Sequence, residues 1–308
     1  MAAALYASRD DLKTLVLDKF FPGGQISNTD RIENYPGIER IDGPGLVEQM
    51  KNQIETFGAE LKTNTAVKSV EKLDDGNIAV NTRRETFTGR AVILAPGSDY
   101  RKLGVPGEEQ FRNAGAGVSY CGTCDAPFFK GKEVVAVGGG NTALEEALHL
   151  AKYASRVSLV HRRDQFRAAA VLVDELKAKV SESDSNLTVI YDTVVTEITG
   201  DGHVEAAVLK NVRTGESRDY ACDGVFVFIG MVPNTGFLKD TVQLSPEGFI
   251  ECDPLYLRTN VPGIFAAGDC RTGAAMQLAT ATADGVVTAM ALKNYFRDPD
   301  WWIRDERT

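Results

Sequence analysis

Between Lys132 and Tyr153 the chain reads as a strand, a glycine turn and a helix, and this succession restricts the fold more than any other stretch. Lys132–Val137 (KEVVAV) is a short valine-rich apolar run, hence a strand. Gly138-Gly139-Gly140-Asn141-Thr142-Ala143 turns the chain. Leu144, Ala147, Leu148 and Ala151 then keep the i, i+3, i+4, i+7 spacing of an amphipathic helix, and Arg156–Val160 is the next strand. A strand leading through Gly138-x-Gly140-x-x-Ala143 into a helix is the setting in which a glycine turn holds a dinucleotide. Glycines permit the tight turn and the close approach of backbone to pyrophosphate, which rests on the helix N-terminus.

The pattern continues with a helix near Ala168–Val180 and strand-like runs at Leu187–Tyr191, His203–Val212 and Ser217–Tyr220. A last apolar strand, Gly224–Ile229, ends at Gly230. The first hundred residues repeat this order. Ala2–Ser8 is helix-like, Thr14–Leu17 is a strand ending at Asp18, and Leu46, Met50, Ile54 and Phe57 form a helical stripe. Strand-like runs follow at Glu60–Leu73, Asn77–Thr82 and Glu85–Thr88, and Arg90–Ala95 closes the half at Gly97. Two copies of one plan predict an α/β fold with duplicated nucleotide-binding domains. When Asp18 is set opposite His161, Met1 falls opposite Leu144. The first copy then lacks its opening strand and glycine loop, so the sequence is expected to start inside a domain, through an internally assigned start or as a fragment.

The end of the strand after the glycine turn discriminates between nicotinamide cofactors. An acid there holds the ribose 2′-hydroxyl of NAD. This chain has His161-Arg162-Arg163 and then Arg167. Guanidiniums so clustered suit the 2′-phosphate of NADPH, the alternative being a solvated basic patch. Asp18, at the equivalent place in the first copy, is where a ribose-binding acid belongs. Gly268-Asp269 ends the apolar run Ile264–Ala267 in a corner able to aim backbone N–H groups and a carboxylate at a ligand, though alone it is only a turn.

Cys121-Gly122-Thr123-Cys124 spaces two thiols for a small reducible disulfide; half of a zinc site is the rival, without a second Cys-x-x-Cys to complete it. Asp125 adjoins the pair, either as a proton donor and acceptor for the thiolates or as a helix cap. Cys222, Cys252 and Cys270 stand alone and read as small buried residues. A net charge of −9 argues against nucleic acid or an anionic membrane as the main partner. No apolar run approaches the ~20 residues of a membrane span. Met1–Ala7 lacks the basic flank of a signal peptide, so a cytoplasmic protein is expected.

Taken together, Cys-x-x-Cys-Asp, GGGNTALEEA and VHRRDQFRA resemble the low-molecular-weight, bacterial-type thioredoxin reductases. Pro22-Gly23-Gly24-Gln25, Glu33-Asn34-Tyr35-Pro36-Gly37 and FAAGDC follow the same family order, so the resemblance spans nearly the whole chain. It implies two Rossmann-like domains, with an NADPH domain inserted into an FAD domain. Here those would be 102–233, carrying the redox pair, within 1–101 and 234–308. It implies FAD contacts from Gly24, Gln25, Asn34, Gly97, Gly268, Asp269 and Gln277, beside Asp18. It implies NADPH contacts from Gly138, Gly140, Asn141, Thr142, His161, Arg162, Arg163 and Arg167. Cys121 and Cys124 would be the redox pair, Asp125 the acid, and no metal would take part. The implied partner is thioredoxin or a thioredoxin-like dithiol protein, and the implied assembly a homodimer. A reductase of another dithiol protein or a peroxidase subunit, and a non-catalytic fragment, are the alternatives. Pro96, Ala126 and Met276 depart from the family's usual residues.

Overall fold

A computed structural model describes residues 1–29 and 31–303. It divides the chain into two compact units, Met1–Asp99 with Val232–Thr308 and Tyr100–Met231. The last five residues of the expected 234–308 segment lie outside the described residues.

The first unit opens with α1 (Ala2–Arg9) and β1 (Leu15–Leu17). Asp42 caps α2 (Gly43–Thr56), its Oδ1 accepting from Gly45 N at 2.6 Å. Leu46, Val47 and Ile54 turn that helix inward, whereas Phe57, expected on the same stripe, lies past its end and is 42% exposed. β2 (Glu60–Lys62) lies parallel to β1. The run Glu60–Leu73, expected as one strand, is broken at Asn64 (φ 51°), and β3 (Val67–Lys72) belongs to another sheet. There it pairs antiparallel with β4 (Ile78–Thr82), which pairs with β5 (Thr86–Gly89). β6 (Val92–Leu94) follows, and β7 (Ser98–Tyr100) carries the chain out of the unit.

The second unit contains α3 (Glu108–Asn113), β8 (Val118–Ser119), α4 (Gly122–Asp125), β9 (Glu133–Gly138) and α5 (Asn141–Leu150). β10 (Arg156–Val160), α6 (Ala170–Val180), β11 (Leu187–Ile190) and β12 (Thr193–Thr199) come next. The unit closes with β13 (Ala206–Asn211), β14 (Ser217–Ala221) and β15 (Gly224–Phe228). Five strands form one parallel sheet in the order β11-β10-β9-β15-β8. β12, β13 and β14 form an antiparallel sheet. The sequence reading missed β12, because only Tyr191 and Asp192 separate it from β11; Asp192 turns the chain at φ 49°.

β16 (Met231–Pro233) returns the chain to the first unit, which ends with β17 (Ile264–Ala266) and α7 (Leu278–Arg297). β17 pairs in parallel with β6, and β1 with β2, as two separate sheets. In the second unit, β9 lies between β10 and β15; no described strand of the first unit has that place.

After Glu133 at its edge, β9 is apolar because both of its faces are covered. Val135 and Val137 pack with Val160, Ile198, Leu209 and Val225 on the side of the antiparallel sheet. Val134 and Ala136 pack with Leu144, Leu150, Leu159 and Leu176 under α5 and α6. Among the described residues no helix is long and apolar enough to cross a membrane. Leu144 is fully buried in this second cluster. Leu144→Ala should therefore destabilise the unit by ~2–5 kcal/mol, read as a lower urea midpoint.

Candidate functional site

The glycine turn sits at the carboxyl end of β9. Gly140, the N-cap of α5, is extended and has open space where a side chain would stand. No side chain caps α5, so its first N–H groups are available to an anion. Gly138 is tightly enclosed: a Cβ there would lie 2.5 Å from Ala143 Cβ and from the Phe228 carbonyl oxygen. His161 is buried, with Nδ1 2.8 Å from the Gly138 carbonyl and Nε2 2.9 Å from the Gln165 carbonyl. Asn141 accepts from Ala169 N at 2.8 Å, and Arg167 N donates to the Gly139 carbonyl at 2.8 Å. The loop bearing the arginines is thus tied to the glycine turn on both sides. Arg162, Arg163 and Arg167 are exposed, and no ion pair among the described residues engages them. Thr142 is exposed at the first turn of α5.

Cys121 and Cys124 form a disulfide, with Cα atoms 5.3 Å apart. Cys121 is the N-cap of α4, and its Sγ accepts from Cys124 N at 3.2 Å. Asp125 is half-buried, and its Oδ2 accepts from Ser119 Oγ at 2.5 Å. Glu146 reaches from α5 to α4, where its Oε1 accepts from Thr123 Oγ1 at 3.2 Å. Its Oε2 is buried without a partner, close against Gly122, and burial pushes the carboxyl above its ordinary range. Among the described residues no three His, Cys, Asp or Glu side chains are arranged to hold a metal. Burial pushes the thiols of Cys222 and Cys270 up to about 12 and that of Cys252 to about 11, which favours the thiol form at all three.

In the first unit, Ser98 Oγ donates to the Asp269 carbonyl at 2.6 Å, beside Gly97 (φ 70°) with open space before it. Gln25 Nε2 donates to Asp99 at 2.7 Å, which joins Gly24 and Gln25 to that corner. Asn34 Nδ2 donates to Gln277 Oε1 at 3.3 Å. Asp269 has a buried Oδ1 with no partner, and burial followed by the nearby Asp284 pushes its carboxyl up. An acceptor orphaned in this way suits a hydroxyl-bearing ligand. Asp284 braces the corner, taking Gly268 N at 2.9 Å and the Arg271 guanidinium through two bonds of 2.6 and 2.8 Å. Asp18 stands apart: its Oδ1 accepts from Phe20 N at 2.8 Å and its backbone bonds Lys62 and Thr65.

Sequence reasoning missed Ser119, Glu146, Asp284 and Arg271. For Glu146 a signal existed, since it falls on the inward stripe of α5 with Ala143, Ala147 and Leu150. Nothing in the spacing of the others marked them.

Residues 1–285 match the family described as pyridine nucleotide-disulphide oxidoreductase. A thioredoxin reductase of Bacillus subtilis (strain 168) is 40% identical over 301 residues, 97% of this chain and 92% of that protein. One from Treponema pallidum (strain Nichols) is 42% identical over 296 residues, 96% of this chain and 93% of that protein. Among solved structures, the thioredoxin reductase of Streptococcus pyogenes MGAS5005 is similar with a TM-score of 0.87 and 40% identity, covering 96% of this chain and 94% of that one. The thioredoxin reductase of Giardia duodenalis is similar with a TM-score of 0.86 and 35% identity, over the same shares.

The raised Glu146 carboxyl has a consequence for stability. Its cost is absent below the ordinary value of 4.5 and grows as pH rises through the higher value of the folded state. Glu146→Gln should match the parent protein in acid and become progressively the more stable of the two towards neutral pH. Urea unfolding across that range checks this.

Proposed function

The chain belongs to the pyridine nucleotide-disulphide oxidoreductase family, and on that footing we propose that it uses NADPH to reduce the disulfide of thioredoxin through FAD and the Cys121–Cys124 pair. The observation that carries the proposal is a disulfide and a glycine turn with its arginine loop on one parallel sheet, each following the end of a strand.

Within the second unit, Gly140, Asn141 and Thr142 at the start of α5 would receive the NADPH pyrophosphate, with Gly138 giving the turn its tightness. Arg162, Arg163 and Arg167 would grip the 2′-phosphate. Both ring nitrogens of His161 face backbone carbonyls, to one of which a neutral ring donates, so its part is to brace the arginine loop against the turn. Within the first unit, the orphaned Asp269 oxygen, Gly268, the open Gly97, Gly24, Gln25, Asn34 and Gln277 fit a flavin nucleotide. Asp18 would meet its ribose from the end of β1. When bound, FAD supplies a two-electron connection between nicotinamide and disulfide. Cys121 and Cys124 then exchange with the partner's disulfide, and Asp125 supplies and recovers the proton. The net charge of −9 supports a protein partner rather than nucleic acid. The proposal includes a homodimer in the cytoplasm.

Replacing Arg162 and Arg163 with neutral residues should raise the KM for NADPH by about tenfold or more, since hydrogen bonds to charged groups are worth about 1.5–3 kcal/mol. The KM for NADH should hardly move; equal losses for both would overturn the phosphate assignment. Cys121→Ser and Cys124→Ser should each abolish NADPH-driven thioredoxin reduction while NADPH still bleaches the flavin. Activity with a peroxidase subunit and none with thioredoxin would redirect the choice of partner.

A further inference from the structure

Ser119 stands two residues before the redox pair, on β8, and is 2% exposed. Its Oγ lies 2.5 Å from Asp125 Oδ2, 3.1 Å from Cys121 N and 3.2 Å from the Cys121 carbonyl oxygen. A hydroxyl has one proton to donate and two lone pairs with which to accept. The Cys121 N–H takes one lone pair. The proton and the other lone pair are left to be divided between Asp125 and the Cys121 carbonyl.

Two arrangements satisfy the contacts. With Asp125 ionised, Ser119 donates to Oδ2. With Asp125 protonated, the carboxyl donates to Oγ, and the hydroxyl proton turns to the Cys121 carbonyl. Only hydrogens move between the two, because all four heavy atoms are already within reach. An alanine at this position would offer neither arrangement, and the enclosure of Ser119 leaves little room for water to replace it.

We infer that Ser119 is a positioning residue that holds Asp125 in both of its protonation states, so that one carboxyl can release a proton beside the disulfide and take it back. The inference rests on the proposed role of Asp125 as the acid. During reduction, a thiolate of a dithiol reductant attacks one sulfur of the pair and a mixed disulfide forms. The Cys121–Cys124 bond breaks, and the departing thiolate takes the Asp125 proton. The hydroxyl proton of Ser119 swings to the carboxylate left behind. The reductant's second thiolate then closes its own disulfide, expelling the other cysteine as a thiolate that is protonated from water. Two electrons pass from the reductant's sulfurs to the pair, and solvent restores the Asp125 proton.

Reduction of the full chain by dithiothreitol, followed by trapping of free thiols with time, tests this without flavin, NADPH or thioredoxin. Failure here is therefore separate from failure of the proposed activity. Asp125→Asn should slow opening of the disulfide by ~10²-fold or more, the range of a positioned acid. Ser119→Ala should slow it about tenfold, and the double variant should be no slower than Asp125→Asn alone, because Ser119 acts through that carboxyl. Ser119→Thr should recover most of the rate, whereas Ser119→Val, its equal in shape, should not. A full rate in Ser119→Ala, equal rates in the threonine and valine variants, or a double variant slowed by the product of the single effects would overturn the inference. An undiminished rate in Asp125→Asn would overturn it together with the role of Asp125.

Discussion

The imidazole of His161 is the tie on which the second unit's site depends. It spans the Gly138 carbonyl at the end of β9 and the Gln165 carbonyl in the arginine loop, at 2.8 and 2.9 Å. The ring lies directly beneath Gly139, where a Cβ would come within 2.1 Å of its Cε1, so that position admits only glycine. The turn sets where α5 begins. The start of α5 sets where Glu146 falls, and Glu146 meets the short helix that contains the disulfide. One buried ring therefore organises the glycine turn, the basic loop and, at one remove, the seat of the cysteines.

A parallel sheet has a further consequence. All five strands point the same way, so their carboxyl ends line a single edge. The glycine turn leaves β9 there, the arginine loop leaves β10, and Ser119 at the end of β8 leads directly into Cys121. Ligands of open α/β sheets gather along this edge, where loops and helix N-termini converge. A glycine turn and a disulfide thus share one boundary although thirteen residues of chain, 125–137, lie between Cys124 and Gly138.

Both units keep buried carboxyls near their candidate sites, but satisfy them differently. Asp284 is paired with Arg271 through two bonds, which offsets the cost of burying both charges. Asp269 and Glu146 each have an oxygen with no partner, and burial raises both. Unsatisfied buried oxygens are rare in folded proteins, and they mark these places as ones where a further group or a proton belongs.

The local elements were legible in the sequence because they depend on near neighbours. Apolar periodicity announced β9, α5 and β10, and the glycine turn between them needs only its own residues to be recognised. The Cys121–Cys124 pairing is likewise local, being set by two intervening residues. Breaks at Asn64 and Asp192 escaped notice because a left-handed residue is a matter of one dihedral angle, and composition around it still reads as strand. Tertiary structure alone decided that His161 holds the backbone, that Ser119 meets Asp125, and that Asp284 joins Gly268 to Arg271. These contacts join residues from separate strands and helices, or turn side chains towards partners that spacing does not specify. A hydrogen bond needs its two atoms about 3 Å apart in space, and only packing of the sheets against their helices brings them there.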